Sequence, residues 1–266
     1  MSKRKRLPVA LTIAGSDSGG GAGIQADLKT FASLGLHGAS VVTCVTAQNP
    51  KRVLGIQACA PATISRQLEA VFAELPPAAV KTGMLYSVDI IRVVVKFFDR
   101  GNLPPLVVDP VMMASSGTRL LQRRAIQFMQ DELLPLAAVV TPNLHEAEIL
   151  SGKKLTSLED LRAAASAIRR QFGCAALVKG GHLRGTSEAA DIFYDGAHEL
   201  LLTAPFVTGV RTHGTGCVYS AAITGYLALG TPLAKAVPLA KQYITQAVAQ
   251  GRLAGGHFVL NSFWRA

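Results

Sequence analysis

The residues able to do chemistry in this chain gather in short stretches. Residues 213–217 read HGTGC, two glycines ahead of VYSAAITGYLA, a run of small residues that suits a tightly packed helix. The amides of Gly214, Thr215, Gly216 and Cys217 would then be orphan donors at a helix N-terminus, where the backbone dipole favours an anion. Such a cradle can hold charge that develops only in a transition state. The competing reading is an ordinary helix start that needs close backbone approach. Asp109, after LVV, and Glu146, in TPNLHEAE, place carboxylates at two strand ends. Carboxylates so placed recruit Mg²⁺ together with phosphates, because that ion keeps several waters and needs few protein ligands. Taken singly, Asp109 also reads as a turn residue before Pro110, and Glu146 as a first-turn acid favoured by the helix dipole. Lys179, in LVKGGH, ends an apolar strand, where an ammonium is costly unless it meets an anion or snorkels to the surface.

A fourth stretch, GSDSGGGAG at 15–23, holds five glycines in nine residues between the apolar PVALTIA and the helix-like IQADLKTFASLG. It resists the two standard nucleotide templates. Gly15 and Gly20 match the P-loop spacing, but Gly21 and Ala22 stand where Lys and Ser or Thr are required. A dinucleotide pattern begun at Gly19 meets Ile24 where it needs glycine. The stretch therefore reads either as a ligand loop without phosphate chemistry or as a tight strand-to-helix turn.

These residues need elements to hold them, and the chain supplies an alternation. Short apolar runs (PVALTIA, ASVVTCVT, AAVKTG, LVVDP, AVVTPN, AALVKG) exchange with helical periods over 24–34, 62–74, 87–99, 119–132, 143–150 and 157–172. Strands apolar on both faces, separated by helices, indicate an α/β domain with a central, mostly parallel β-sheet flanked by helices on both faces. DIFYD and HELLLT around Asp195-Gly196 predict a hairpin. Two last helices over 215–229 and 233–250 are parted by Gly230-Thr231-Pro232. The reading is one domain over 8–266 behind a basic arm, 1–7. In such sheets ligands sit beyond the carboxyl ends of the strands, where Asp17, Gln48, Thr82, Asp109, Asn143 and Lys179 fall.

Composition excludes several classes. With 49% apolar and 17% charged residues the chain is neither disordered nor fibrous. Its formal net charge of +10 raises nucleic acid as a partner, yet beyond the KRKR start Lys and Arg are scattered, so the charge reads as solvation and attraction for an anionic ligand. No apolar stretch approaches the roughly 20 residues that span a bilayer. The first apolar run is short and has no cleavage site, so it reads as a strand rather than a signal peptide. Cys44, Cys59, Cys174 and Cys217 lack metal spacing, and reduced cytoplasmic thiols are the expectation.

In order and spacing, AGSDSGGGAGIQADLKTF, VTAQN, KTGML, VVDPVM, TPNLHEAEIL, LVKGGHL and THGTGC closely resemble the hydroxymethylpyrimidine/phosphomethylpyrimidine kinases of thiamine biosynthesis, in the ribokinase-like superfamily. The resemblance runs from about residue 8 to 250. It implies a ribokinase-like fold and ATP-dependent phosphorylation, with Mg²⁺, of 4-amino-5-hydroxymethyl-2-methylpyrimidine and then of its monophosphate. It also implies site roles. Gly15, Asp27 and Gln48 would contact the ring, with Met84 and Val111 as apolar walls. Asp109, Asn143 and Glu146 would face magnesium and triphosphate, and Lys179, Thr215 and Lys241 would address ATP. Cys217 stands where sugar kinases of the superfamily carry an aspartate base. A helix N-terminus should lower its pKa below the free value of about 8.5, giving a thiolate base beside Gly214 and Gly216. A homodimer is expected by the same analogy, with no nucleic-acid or membrane partner.

Two rival readings stand beside this one: a pyridoxal or pyridoxine kinase of the same superfamily, and a non-catalytic pyrimidine sensor. Arg211 ahead of the last motif, Val218-Tyr219 after it, and a C-terminus without the Gly-Pro tail of many relatives depart from the pattern. No role is assigned beyond about residue 250.

Overall fold

Side-chain alternation in the strands decides how the sheet is covered. The computed structural model describes residues 6–113, 120, 121, 123–181, 183, 188–207 and 213–264. In chain order the elements are β1 (Val9–Asp17), α1 (Gly23–Ser33), β2 (His37–Gln48), β3 (Val53–Ala58), α2 (Pro61–Glu74), β4 (Ala79–Thr82), α3 (Val88–Phe98), β5 (Leu106–Val108) and α4 (Arg123–Phe128). They continue with β6 (Val139–Val140), α5 (Leu144–Ser151), α6 (Leu158–Phe172), β7 (Ala175–Lys179), β8 (Glu188–Tyr194), β9 (Glu199–Pro205), α7 (Thr215–Ala228), α8 (Leu233–Ala249), β10 (Arg252–Ala254) and β11 (His257–Val259).

Nine strands form one sheet in the order β3-β2-β1-β4-β5-β6-β7-β8-β9. The six from β2 to β7 run parallel, while β3 and the β8–β9 hairpin are antiparallel at the two edges. Leu11, Ile13, Val80, Leu106, Val108, Val140 and Val178 pack one face against α2, α3, α5 and α6. The intervening Val107, Val139, Ala175 and Leu177 meet α7 and α8, and Ala10 and Ala79 meet Phe31 of α1. Period-two alternation with apolar residues on both sides requires this three-layer arrangement.

The expected doubly covered sheet and the hairpin at Asp195-Gly196 are therefore present. Three features differ from the sequence reading. VLGIQA forms β3, a half-exposed edge strand that the alternation did not reveal. The helical period expected over 119–132 begins, among the described residues, at Arg123 and widens into a π turn at Met129–Leu133 before Pro135 closes it. The C-terminus, to which the sequence assigns no role, is structured: β10 and β11 pair, Asn261 donates its amide to the Ala247 carbonyl, and the Tyr243 hydroxyl donates to the Ser262 carbonyl at 2.6 Å. Trp264 packs on the core beneath α8. No helix among the described residues is long and apolar enough to cross a membrane.

Candidate active site

Because β1, β4, β5, β6 and β7 are parallel, their carboxyl ends share one edge, and a cavity of about 680 Å³ opens there. That is ample for two small ligands side by side. Its lining includes every residue given a site role by the resemblance: Gly15, Asp27, Gln48, Met84, Asp109, Val111, Asn143, Glu146, Lys179, Gly214, Thr215, Gly216, Cys217 and Lys241.

The anion side is built on α7. Gly214 caps the helix in the left-handed region, φ +83°, and a Cβ there would overlap the Gly21 carbonyl, so the two glycine-rich loops touch backbone to backbone. The first-turn amides of Gly216 and Cys217 face the cavity end of the helix, and a Cβ on Gly216 would lie 3.2 Å from Lys179 Nζ and 3.8 Å from Asp109 Oδ2. Lys179 donates to Asp109 Oδ1 at 3.2 Å, and Ser220 donates to Asp109 Oδ2 at 3.1 Å. Burial works against the Lys179 ammonium, but Asp109 and Glu146 hold its pKa above the ordinary lysine value.

Glu146 belongs to a capping box. Its backbone N–H donates to Asn143 Oδ1 while its own Oε2 accepts from the Asn143 amide, and Oε1 accepts from the Met112 amide. This fixes a buried carboxylate beside Asp109 and Lys179. Burial pushes its pKa up, against the Lys179 charge.

On the opposite side, Gly15 lets β1 approach β2: a Cβ there would meet Cys44 Sγ at 2.7 Å. Gln48 lies at the end of β2 with Oε1 3.3 Å from the Thr46 hydroxyl, while Met84 and Val111 supply apolar wall. The amides of the GSDSGGGAG loop are turned inward. Gly19, Gly21 and Ala22 donate to the Asp17 carboxylate at 2.8, 3.1 and 2.9 Å, and His213 approaches it at 3.4 Å. Burial pushes Asp17 up, but His213 and the amides of Gly19 and Ala22 hold its pKa below the usual carboxylate value. The loop thus folds around its own anion.

A scan of protein families settles what these parts belong to: residues 17–261 match the family described as phosphomethylpyrimidine kinase. The chain belongs to the phosphomethylpyrimidine kinase family. A hydroxymethylpyrimidine/phosphomethylpyrimidine kinase of Synechococcus elongatus is 44% identical over 95% of this chain and 98% of its own. The chain spans 51% of the length of a bifunctional thiamine-biosynthesis protein of Geobacter sulfurreducens, with 45% identity. Among solved structures, the phosphomethylpyrimidine kinase of Clostridium difficile superposes with a TM-score of 0.81 at 43% identity, covering 91% of this chain and 99% of that one. The Bacillus subtilis pyridoxal kinase in complex with ADP reaches 0.89 at 36% identity, over 97% and 98%. The fold is thus that of the ribokinase-like vitamin kinases.

Within this phosphomethylpyrimidine kinase fold, three expected roles need correction. Cys217 does not hold a lowered pKa. Burial pushes its thiol up to about 11, Lys81 counteracts, and Asp27 and Asp109 add to the rise. Burial outweighs Lys81 and the Gly23 backbone hydrogen bond, and the group is a thiol at neutral pH. Asp27 is not a free edge for a heterocycle either: at 0% exposure, Oδ1 accepts from Lys81 Nζ at 2.7 Å and Oδ2 from the Thr12 hydroxyl at 2.6 Å. Lys241 is bound to Asp191 Oδ2 at 2.7 Å and the Ala189 carbonyl at 3.0 Å, so it borders the cavity as half of an ion pair.

Sequence reasoning missed Lys81, Asp191, His213 and Ser220. The signal for Lys81 was present, since AAVKTG buries a lysine in an apolar strand as LVKGGH does. Asp191 pairs across the sheet with Lys179 and was hidden in a hairpin. His182 and Arg211 lie outside the described residues.

Proposed function

We propose that this kinase transfers the γ-phosphoryl group of MgATP to the hydroxyl of 4-amino-5-hydroxymethyl-2-methylpyrimidine, and then to the resulting monophosphate. One observation carries the reading. A Lys179–Asp109 pair, with Asp109 buried and Lys179 partly so, stands against the first turn of α7, in the same cavity as the small amide- and sulfur-lined pocket of Gly15, Gln48 and Met84. The names of the relatives support the substrate class.

Phosphoryl transfer asks a protein for positioning and charge neutralisation more than for covalent chemistry. Gln48 offers an amide donor and acceptor to pair the edge of an aminopyrimidine, and Met84 and Val111 cover its face. This orients the hydroxymethyl oxygen toward the γ-phosphorus. As that O–P bond forms and the bond to the ADP oxygen breaks, charge on the transferring group meets the Gly216 and Cys217 amides and Lys179. The hydroxyl proton leaves late, to an oxygen of the transferred phosphoryl group or to water, because the Cys217 thiol keeps its own proton at rest. Among the described residues no cluster of three metal-ligating side chains exists. Asp109 and Glu146 nevertheless fit an ion carried on a triphosphate, which takes one or two carboxylates and fills its other positions with phosphate oxygens and water. Bound there, Mg²⁺ would offset charge on the triphosphate oxygens.

The same reading has Asn143 and Thr215 border the triphosphate. It places the protein in the cytoplasm, in keeping with four unpaired cysteines, and makes it a homodimer through the β2–β3 edge, where Val45 and Leu54 are 52% and 62% exposed. An ATP-consumption screen with the pyrimidine, its monophosphate and pyridoxine tests the assignment. The expected products are the pyrimidine mono- and diphosphates; absence of the diphosphate would remove the second step. Pyridoxine phosphorylation is the second reading, favoured by the 0.89 superposition on a pyridoxal kinase. Sedimentation of the purified protein as a monomer would remove the dimer.

A further inference from the structure

Beneath the junction of α1 and α7 lies an ion pair that phosphoryl transfer as described above does not use. Lys81 and Asp27 are both 0% exposed, 2.7 Å apart, and joined to Thr12 of β1. A charged pair in an apolar layer costs several kcal/mol of desolvation per ion unless every polar atom is met, and well-packed apolar residues often serve stability better. Stability is thus a weak reason for this pair. Its surroundings suggest another. Lys81 Nζ lies 3.4 Å from the Cys217 carbonyl, in the first turn of α7, and Ser220 donates to the same carbonyl at 3.1 Å as well as to Asp109. Asp27, meanwhile, belongs to the helix that follows the GSDSGGGAG loop. Lys81 therefore ties the two halves of the cavity together from below.

We propose that Lys81, gripped by Asp27, is a positioning residue for phosphoryl transfer: it anchors the Cys217 end of the amide cradle and presents a buried positive charge to the Cys217 side chain. The first part of this role rests on the kinase reading; the second does not. The charged groups facing Cys217 are Asp27 from α1, Lys81 from β4, Asp109 beyond β5 and Lys179 at the end of β7. Lys81 pulls the thiol toward ionisation, whereas Asp27 and Asp109 oppose it.

The test is the pH dependence of Cys217 alkylation by iodoacetamide, read by mass spectrometry of that peptide, which needs no substrate. Lys81→Met should shift the midpoint to higher pH, and Asp27→Asn, which leaves the ammonium uncompensated, to lower pH. A merely structural pair would give the same direction in both, since either variant breaks it. Shifts in one direction, or none, would overturn the electrostatic role. If a single variant fails to fold, the doubly neutral Lys81→Met/Asp27→Leu removes both charges and keeps the volume. In it kcat should fall at least about tenfold while the KM for MgATP stays within about twofold, as expected when a transition-state contact is lost rather than ground-state binding. Full kcat in that folded variant would overturn the anchoring role. Altered alkylation in a protein inactive on every tested acceptor would instead fault the kinase reading alone.

Discussion

At the scale of single residues, the site separates fixed charge from a group that can change its charge. Lys179 is a permanent cation because Asp109 and Glu146 surround it. Cys217 is neutral because burial outweighs the pull of Lys81. The two should therefore respond differently to deletion. Lys179→Ala removes positive charge from the region where the transferring group becomes most anionic, and leaves Asp109 and Glu146 uncompensated. We expect kcat/KM for the pyrimidine to fall by about 100-fold or more, as when an oxyanion donor is removed. Cys217→Ala keeps its backbone amide and loses only a thiol of pKa about 11, so kcat should fall by less than the ~100-fold that marks a poised general base. Steady-state kinetics of the two variants decide this, and a larger loss at Cys217 than at Lys179 would restore the resting-base mechanism. The residues singled out from the sequence line one cavity, but residue identity does not give their ionisation states, which depend on burial and on Lys81 and Asp27 from distant strands and helices.

At the scale of elements, the two glycine-rich stretches act as one joint. Asp17 gathers the amides of the first loop, His213 leans on Asp17, and Gly214 rests on the Gly21 carbonyl. Gly214→Ala would force a side chain into that contact from a left-handed backbone, at a cost of about 1–3 kcal/mol. A lower midpoint in urea, with weakened ATP binding, is the expected result. Asp17→Asn tests the same joint through pH. Its folded pKa lies below the unfolded value near 3.9, so its contribution is present above that value and lost as pH falls through the lowered pKa. Urea denaturation should find the variant less stable by about 1–3 kcal/mol at pH 7. The gap should shrink at pH 3 and below, and a gap independent of pH would mean that the carboxylate charge is irrelevant. The alternation of strands and helices was legible because both sheet faces are buried, which writes apolar runs into every central strand. The edge strand β3 was not, because with one face in water and Gly55 within it the run VLGIQA carries little period. The hairpin β10–β11 turns on Gly255 and Gly256, both at positive φ, a signal that the sequence does contain. Glycines likewise announced the first loop but not its anion, since only the folded backbone shows the Gly19, Gly21 and Ala22 amides converging on Asp17.

At the scale of the whole molecule, the backbone cannot choose the substrate. This chain superposes as well on a pyridoxal kinase as on a phosphomethylpyrimidine kinase, with TM-scores of 0.89 and 0.81. Discrimination must come from side chains around a common cavity. Both acceptors present a hydroxymethyl group on a six-membered nitrogen heterocycle, so the anion side, Lys179 and the α7 amides, treats them alike. In the proposed pose they differ at the edge facing β2, where the aminopyrimidine carries an amine beside a ring nitrogen. Gln48 is the amide side chain lining the cavity at that edge, with Asp27 committed to Lys81 and Thr12. A site built to hydrogen-bond such an edge rejects a lookalike by as much as ~10⁴-fold, since its own polar groups are left unpaired. Gln48→Ala should therefore lower kcat/KM for the aminopyrimidine by about 100-fold or more, and that for pyridoxine by less than about tenfold. ATP binding, governed by the far side of the cavity, should be unchanged. Competition of the two acceptors for one preparation of each enzyme measures the ratio directly. Equal losses for both acceptors would place selectivity elsewhere in the wall, with Met84 and Val111 as the next positions to exchange.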